Sequence, residues 1–102
     1  MACTQINEPS DPHTWQDNFL CARRDFGIRW SYAGPIAGMQ CTQIIEPAEP
    51  ARHTWRDNYL CVPPGSPIHF TWSYAGAVPG MQCVQFLEPS DPHTWQDNFL
   101  CW

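Results

Sequence analysis

One cysteine-bounded cassette occurs three times in this chain, so any fold that accepts the chain must accept the cassette three times. The copies are CTQINEPSDPHTWQDNFLC (Cys3 to Cys21), CTQIIEPAEPARHTWRDNYLC (Cys41 to Cys61) and CVQFLEPSDPHTWQDNFLC (Cys83 to Cys101). A second unit separates them, WSYAGPIAGMQ from Trp30 and WSYAGAVPGMQ from Trp72, which gives the order A-B-A-B-A. A period of about forty residues marks one supersecondary unit used repeatedly. The polar loop recurs more faithfully than the apolar strands around it. A repeated fold needs its core and turns to recur. Recurrence of Glu, His, Trp, Asp and Asn inside a loop asks for a further reason.

A chain of 102 residues holds one domain with a modest core. We read it as a single domain over 1–102, with cassettes at 3–21, 41–61 and 83–101 joined by units 22–40 and 62–82. Each repeat is too small to stand alone, so the units are expected to share one core.

The six cysteines sit at the cassette ends, which favours Cys3–Cys21, Cys41–Cys61 and Cys83–Cys101 among the pairings open to them. Each bridge closes a loop of about twenty residues and contributes roughly 3 kcal/mol on the chain-entropy model. Six reduced, buried thiols are the plainer alternative. Zinc is disfavoured, because no C-x-x-C or H-x-x-x-H spacing occurs. Bridges imply an oxidising, secreted or extracellular setting. Met1-Ala2-Cys3 enters the first cassette at once, so export is expected after loss of a leader or by another route.

Charge excludes some partners. Five Arg, no Lys and ten acidic residues leave a net charge of −5 with no basic stripe. This argues against nucleic acid and anionic membranes. No apolar run is long enough to span a bilayer.

Strand signals dominate. Phe26, Ile28, Trp30 and Tyr32 alternate with Gly27, Arg29 and Ser31, and Phe70, Trp72 and Tyr74 repeat the pattern. AGPIAG and AGAVPG supply reversals. Met39, Cys41 and Gln43 open a further strand, as do Met81, Cys83, Gln85 and Met1, Cys3, Gln5. Short strands close the cassettes at Phe19–Cys21, Tyr59–Cys61 and Phe99–Cys101. The expected fold is all-β: a small antiparallel barrel, prism or sandwich of about eight short strands built from internal repeats. A β-trefoil is disfavoured, because it needs a third B unit. If neighbouring strands pair in sequence order, strand parity puts cassette loops one and three at one end of the sheet and loop two at the other.

Within the first loop, Pro9 and Pro12 hold Glu8 and Asp11 extended. Asp11-Pro12-His13-Thr14 fits a type I turn, and Asp17-Asn18 suits a second. Trp15 offers a flat face and one donor; Glu8, Asp11 and Asp17 accept; Asn18 and His13 donate and accept. A sugar needs this combination of stacking face and fixed polar groups. The second copy carries Glu46, Glu49, His53, Trp55, Asp57 and Asn58, with Ala51 and Arg52 inserted. The third carries Glu88, Asp91, His93, Trp95, Asp97 and Asn98. Glu8-Pro9 and Trp15-Gln16-Asp17-Asn18 resemble fragments of C-type lectin sugar loops at a different spacing. The sequence thus points first to a multivalent lectin, with glycans or glycoconjugates as partners, gaining from avidity.

Plainer roles compete for the same residues. The three tryptophans suit a core, and Asp-Asn pairs satisfy local backbone in turns. The alternative is therefore a non-enzymatic extracellular structural or protein-interaction module. No cofactor is required. Calcium binding by the acidic groups is the third reading, though the spacing matches no EF-hand. Catalysis is not expected. Ser10, His13 and Asp11 or Asp17 lie in one short loop, and no separate oxyanion site is suggested. Trp102 breaks the repeat, which assigns it to covering an end of the fold or to a contact in a homo-oligomer.

Overall fold

The computed structural model describes residues 1–12, 15–50, 55–92 and 95–102. It is all-β, with eight short strands as expected. In the first cassette, β1 (Ala2–Ile6) pairs antiparallel with β2 (Asn18–Ala22). A second sheet holds β3 (Arg29–Ser31), β4 (Gln40–Gln43) and β5 (Tyr59–Val62) in the order β3-β5-β4. A third holds β6 (Thr71–Ser73), β7 (Cys83–Gln85) and β8 (Phe99–Cys101) in the order β6-β8-β7. The strands thus form three small sheets around a shared interior, a prism-like grouping.

Register is pinned by the cysteines. Cys3 faces Cys21, Cys41 faces Cys61 and Cys83 faces Cys101 across their strand pairs, and each pair is bridged. A slip of one residue would move every side chain to the other face. The bridges therefore fix which residues point inward. Ile6, Ile44, Phe86, Leu60 and Leu100 form the apolar core with the three cassette tryptophans.

The inter-cassette units do not lie between their sequence neighbours. Strand β3 pairs with β5 rather than β4, with Trp30 opposite Leu60, and β6 pairs with β8, with Trp72 opposite Leu100. The reversal after each strand is tight. Gly34 and Gly76 adopt φ of 96°, a conformation that favours glycine. Their N–H groups donate to the carbonyls of Asp57 and Asp97 at 2.8 Å.

This strand order corrects the parity expectation. The chain is not a sequential meander, because each inter-cassette strand skips over its neighbour to reach the far side of the next cassette. All three cassette loops consequently meet in one place, where their tryptophans touch.

Candidate functional site

Each cassette loop opens with a β-turn. The Asp11 N–H donates to the Glu8 carbonyl at 3.0 Å, with Pro9 at the second position. The same bond recurs from Glu49 to Glu46 and from Asp91 to Glu88. Sequence placed the first turn at Asp11–Thr14, part of which lies outside the described residues. Short 3₁₀ turns follow at Trp15–Asp17, Trp55–Asp57 and Trp95–Asp97.

These turns aim the tryptophans inward. Trp15, Trp55 and Trp95 contact one another edge to face, with centroids 4.7–4.9 Å apart. Each such pair contributes about 0.5–1.5 kcal/mol beyond area burial. Only 1–2% of their surface is exposed, so these indoles have no face to lay on a sugar from solvent.

The polar residues interlock between cassettes in cyclic order. Donors of the second cassette hold acids of the first: Trp55 Nε1 donates to Asp11 at 2.7 Å and Asn58 Nδ2 to Glu8 at 3.0 Å. Donors of the third hold the second: Trp95 Nε1 donates to Glu49 at 3.2 Å, shared with Asp91 of its own cassette at 3.0 Å, and Asn98 Nδ2 donates to Glu46 at 2.7 Å. Donors of the first hold the third: Trp15 Nε1 donates to Asp91 at 3.2 Å and Asn18 Nδ2 to Glu88 at 2.8 Å. Glu49, in place of an aspartate, still reaches its indole. The buried acids Glu8, Glu46 and Glu88 also accept local backbone N–H groups from Ser10, Ala48 and Ser90. Buried carboxylates require such donors, because burial strips their water.

Of the residues expected to bind glycan, Glu8, Asp11, Trp15, Glu46, Glu49, Trp55, Asn58, Glu88, Asp91, Trp95 and Asn98 are buried, and Asn18 is half-buried. The structure brings these together, but facing one another. Asp17, Asp57 and Asp97 remain exposed. His13, His53 and His93 lie outside the described residues. Ser10 donates its hydroxyl to Glu8 at 2.6 Å.

Asp11, Glu49 and Asp91 converge, each offering a carboxylate oxygen within 4.8 Å of the others. Oxygen donors suit calcium, which takes about 6–8 of them. Three carboxylates that also accept indole N–H groups are a poor match for that demand among the described residues.

Trp30 and Trp72 of the inter-cassette strands each wedge between two cassettes. The Trp30 indole lies 6.2 Å from Trp55 and donates to the Asn7 carbonyl at 3.0 Å. The Trp72 indole lies 6.3 Å from Trp95, packs on Phe86 and donates to the Ile45 carbonyl at 2.9 Å. The identical Trp-Ser-Tyr-Ala-Gly strings were the available signal. Trp102, by contrast, is 41% exposed. It borders a broad recess of ≈ 890 Å³ with Met1, Arg23, Arg24, Phe26 and Gln82.

Comparison with protein-family models, curated proteins and solved structures finds no match. Among the described residues, no helix is long and apolar enough to cross a membrane.

Proposed function

We propose that this chain is a non-enzymatic extracellular module with a structural or protein-interaction role. The observation that carries this reading is the cyclic lock. The repeated Glu, Asp, Trp and Asn side chains donate to and accept from one another across cassette boundaries. Their recurrence is thereby explained by cohesion, with no external ligand needed. Three disulfides suit an oxidising compartment. The test compares stability with binding. Trp55→Phe and Asn58→Ala are each expected to lower Tm, and a glycan array probed with the unaltered chain is expected to stay blank. A glycan bound by the unaltered chain and lost in a cassette variant of normal Tm would overturn the reading.

Carbohydrate binding stands as a second reading, favoured by the exposed indole of Trp102 beside the recess with Arg23, Arg24 and Gln82. A flat aromatic face flanked by donors suits a sugar ring. It would supply one site per chain instead of one per cassette. An array signal abolished by Trp102→Ala supports it; a blank array removes it.

A further inference from the structure

The first sheet has two strands where its counterparts have three, because β2 carries no described partner on the edge where β5 receives β3 and β8 receives β6. Burial records the difference. Leu60 and Leu100 are buried beneath the added strand, whereas the matching Leu20 is only half-buried. Cys61 and Cys101 are buried, whereas Cys21 is exposed. Phe19 is 56% exposed, while Tyr59 and Phe99 are partly covered.

A recess of ≈ 90 Å³ lies at this edge. Its walls come from cassette one (Ile6, Trp15, Leu20) and cassette three (Val84, Phe86, Leu87). The two filled positions have the same construction. Trp30 sits between cassettes one and two, and Trp72 between cassettes two and three, each near the cassette tryptophan and bonded to the preceding cassette's backbone. By the same correspondence, Trp15 would stand beside the third indole, and the Leu87 carbonyl would accept its N–H. Val84 and Leu87, at 39% and 41% exposure, border the recess together with Phe19. Three apolar side chains thus stand at the rim of one recess, where a bound segment would cover them.

We propose that the recess between β2 and the Val84–Leu87 segment is a docking slot for an extended polypeptide bearing Trp-Ser-Tyr-Ala-Gly. The inference rests on the interaction-module reading and names the partner's chemistry. The occupant adds a strand antiparallel to β2, as β3 does to β5. Its Trp lies opposite Leu20, its Ser opposite Phe19, and its Gly N–H reaches the Asp17 carbonyl. Backbone bonds from such an added strand give affinity, and the Trp pocket gives specificity. The chain's own β3 and β6 are engaged in their sheets, so a second copy could donate one only by vacating an identical position.

The experiment titrates the folded, disulfide-intact chain with a synthetic peptide of residues 67–80, followed by ¹H–¹⁵N NMR. Saturable shifts at Phe19–Cys21, at Leu87 and at the Trp15 indole N–H are expected. A peptide with alanine at the Trp72 position should bind at least about tenfold more weakly, as for a central hot-spot residue. Phe19→Lys and Leu87→Lys, both at exposed positions, should weaken binding while leaving Tm unchanged. No saturation, or equal binding of the alanine peptide, overturns the proposal. So does self-association of the chain through these residues, which would assign the slot to a second copy. A cassette-dependent glycan would remove the module reading without touching this titration, so the two failures are distinguishable.

Discussion

Trp55 donates its indole N–H to the Asp11 carboxylate at 2.7 Å, and both groups are buried although they belong to different cassettes. A large apolar ring and a charged acceptor are thereby held by one bond at a seam between repeats. Removing either partner takes this bond away from a group shielded from water.

Trp55→Phe keeps most of the ring volume but removes the indole N–H from the buried Asp11 carboxylate, and should cost about 1–3 kcal/mol for the lost buried hydrogen bond. Trp55→Ala adds a cavity and should cost about 3–5 kcal/mol. Chemical denaturation measures both. A double-mutant cycle of Asn58→Ala with Glu8→Ala should show coupling, because the two side chains bond at 3.0 Å. Simple additivity would deny the lock.

Asp11, Glu49 and Asp91 crowd three carboxylates together. Like charges at close range repel, and burial sharpens the repulsion. Asp11→Asn retains a carbonyl acceptor for Trp55 and introduces donors toward the remaining acids. It should leave Tm equal or higher, whereas Asp11→Ala should lower it. Calcium or EDTA should shift neither melting curve. A calcium-dependent rise in Tm of the unaltered chain would show that the cluster serves a cation.

The bridges should differ in accessibility. Cys61 and Cys101 are 0% exposed, while Cys3 and Cys21 are exposed in the sheet that has no third strand among the described residues. Under limiting dithiothreitol, Cys3–Cys21 should open first. Alkylation and peptide mapping would report the order. Simultaneous opening of all three would indicate that reduction follows global unfolding.

Emission should divide by depth. Trp15, Trp55 and Trp95 are shielded, Trp30 and Trp72 half-shielded, and Trp102 is 41% exposed. Trp102→Phe should therefore remove most iodide-quenchable fluorescence. Persistence of strong quenching in that variant would place another indole in contact with water.

The framework of this fold was readable before any coordinates. Cysteines at matched ends of a repeat announced the stapled hairpins, and alternating aromatics announced the strands. The orientation of the loops was not readable. Trp, Asp, Glu and Asn form a set that both donates and accepts, so it serves a sugar as well as it serves further copies of itself. The meeting of three loops turns this set inward, and that meeting depends on strand order. Sequence adjacency suggested that β3 would stay beside β4, yet Trp30 gains more by wedging against Trp55 and the Asn7 carbonyl. The open slot at β2 was equally hidden. The count of two inter-cassette units for three cassettes was visible, but which cassette went without followed only from the pairing.

Because each cassette grips its predecessor and the last is gripped by the first, the assembly has a fixed size. Stacked solenoids gain or lose modules at their ends, since each module meets only its neighbours. Here a fourth cassette would find no seat, and deleting one would expose indoles and acids on both survivors. Expansion of such a protein would have to proceed by joining whole rings, not by lengthening one.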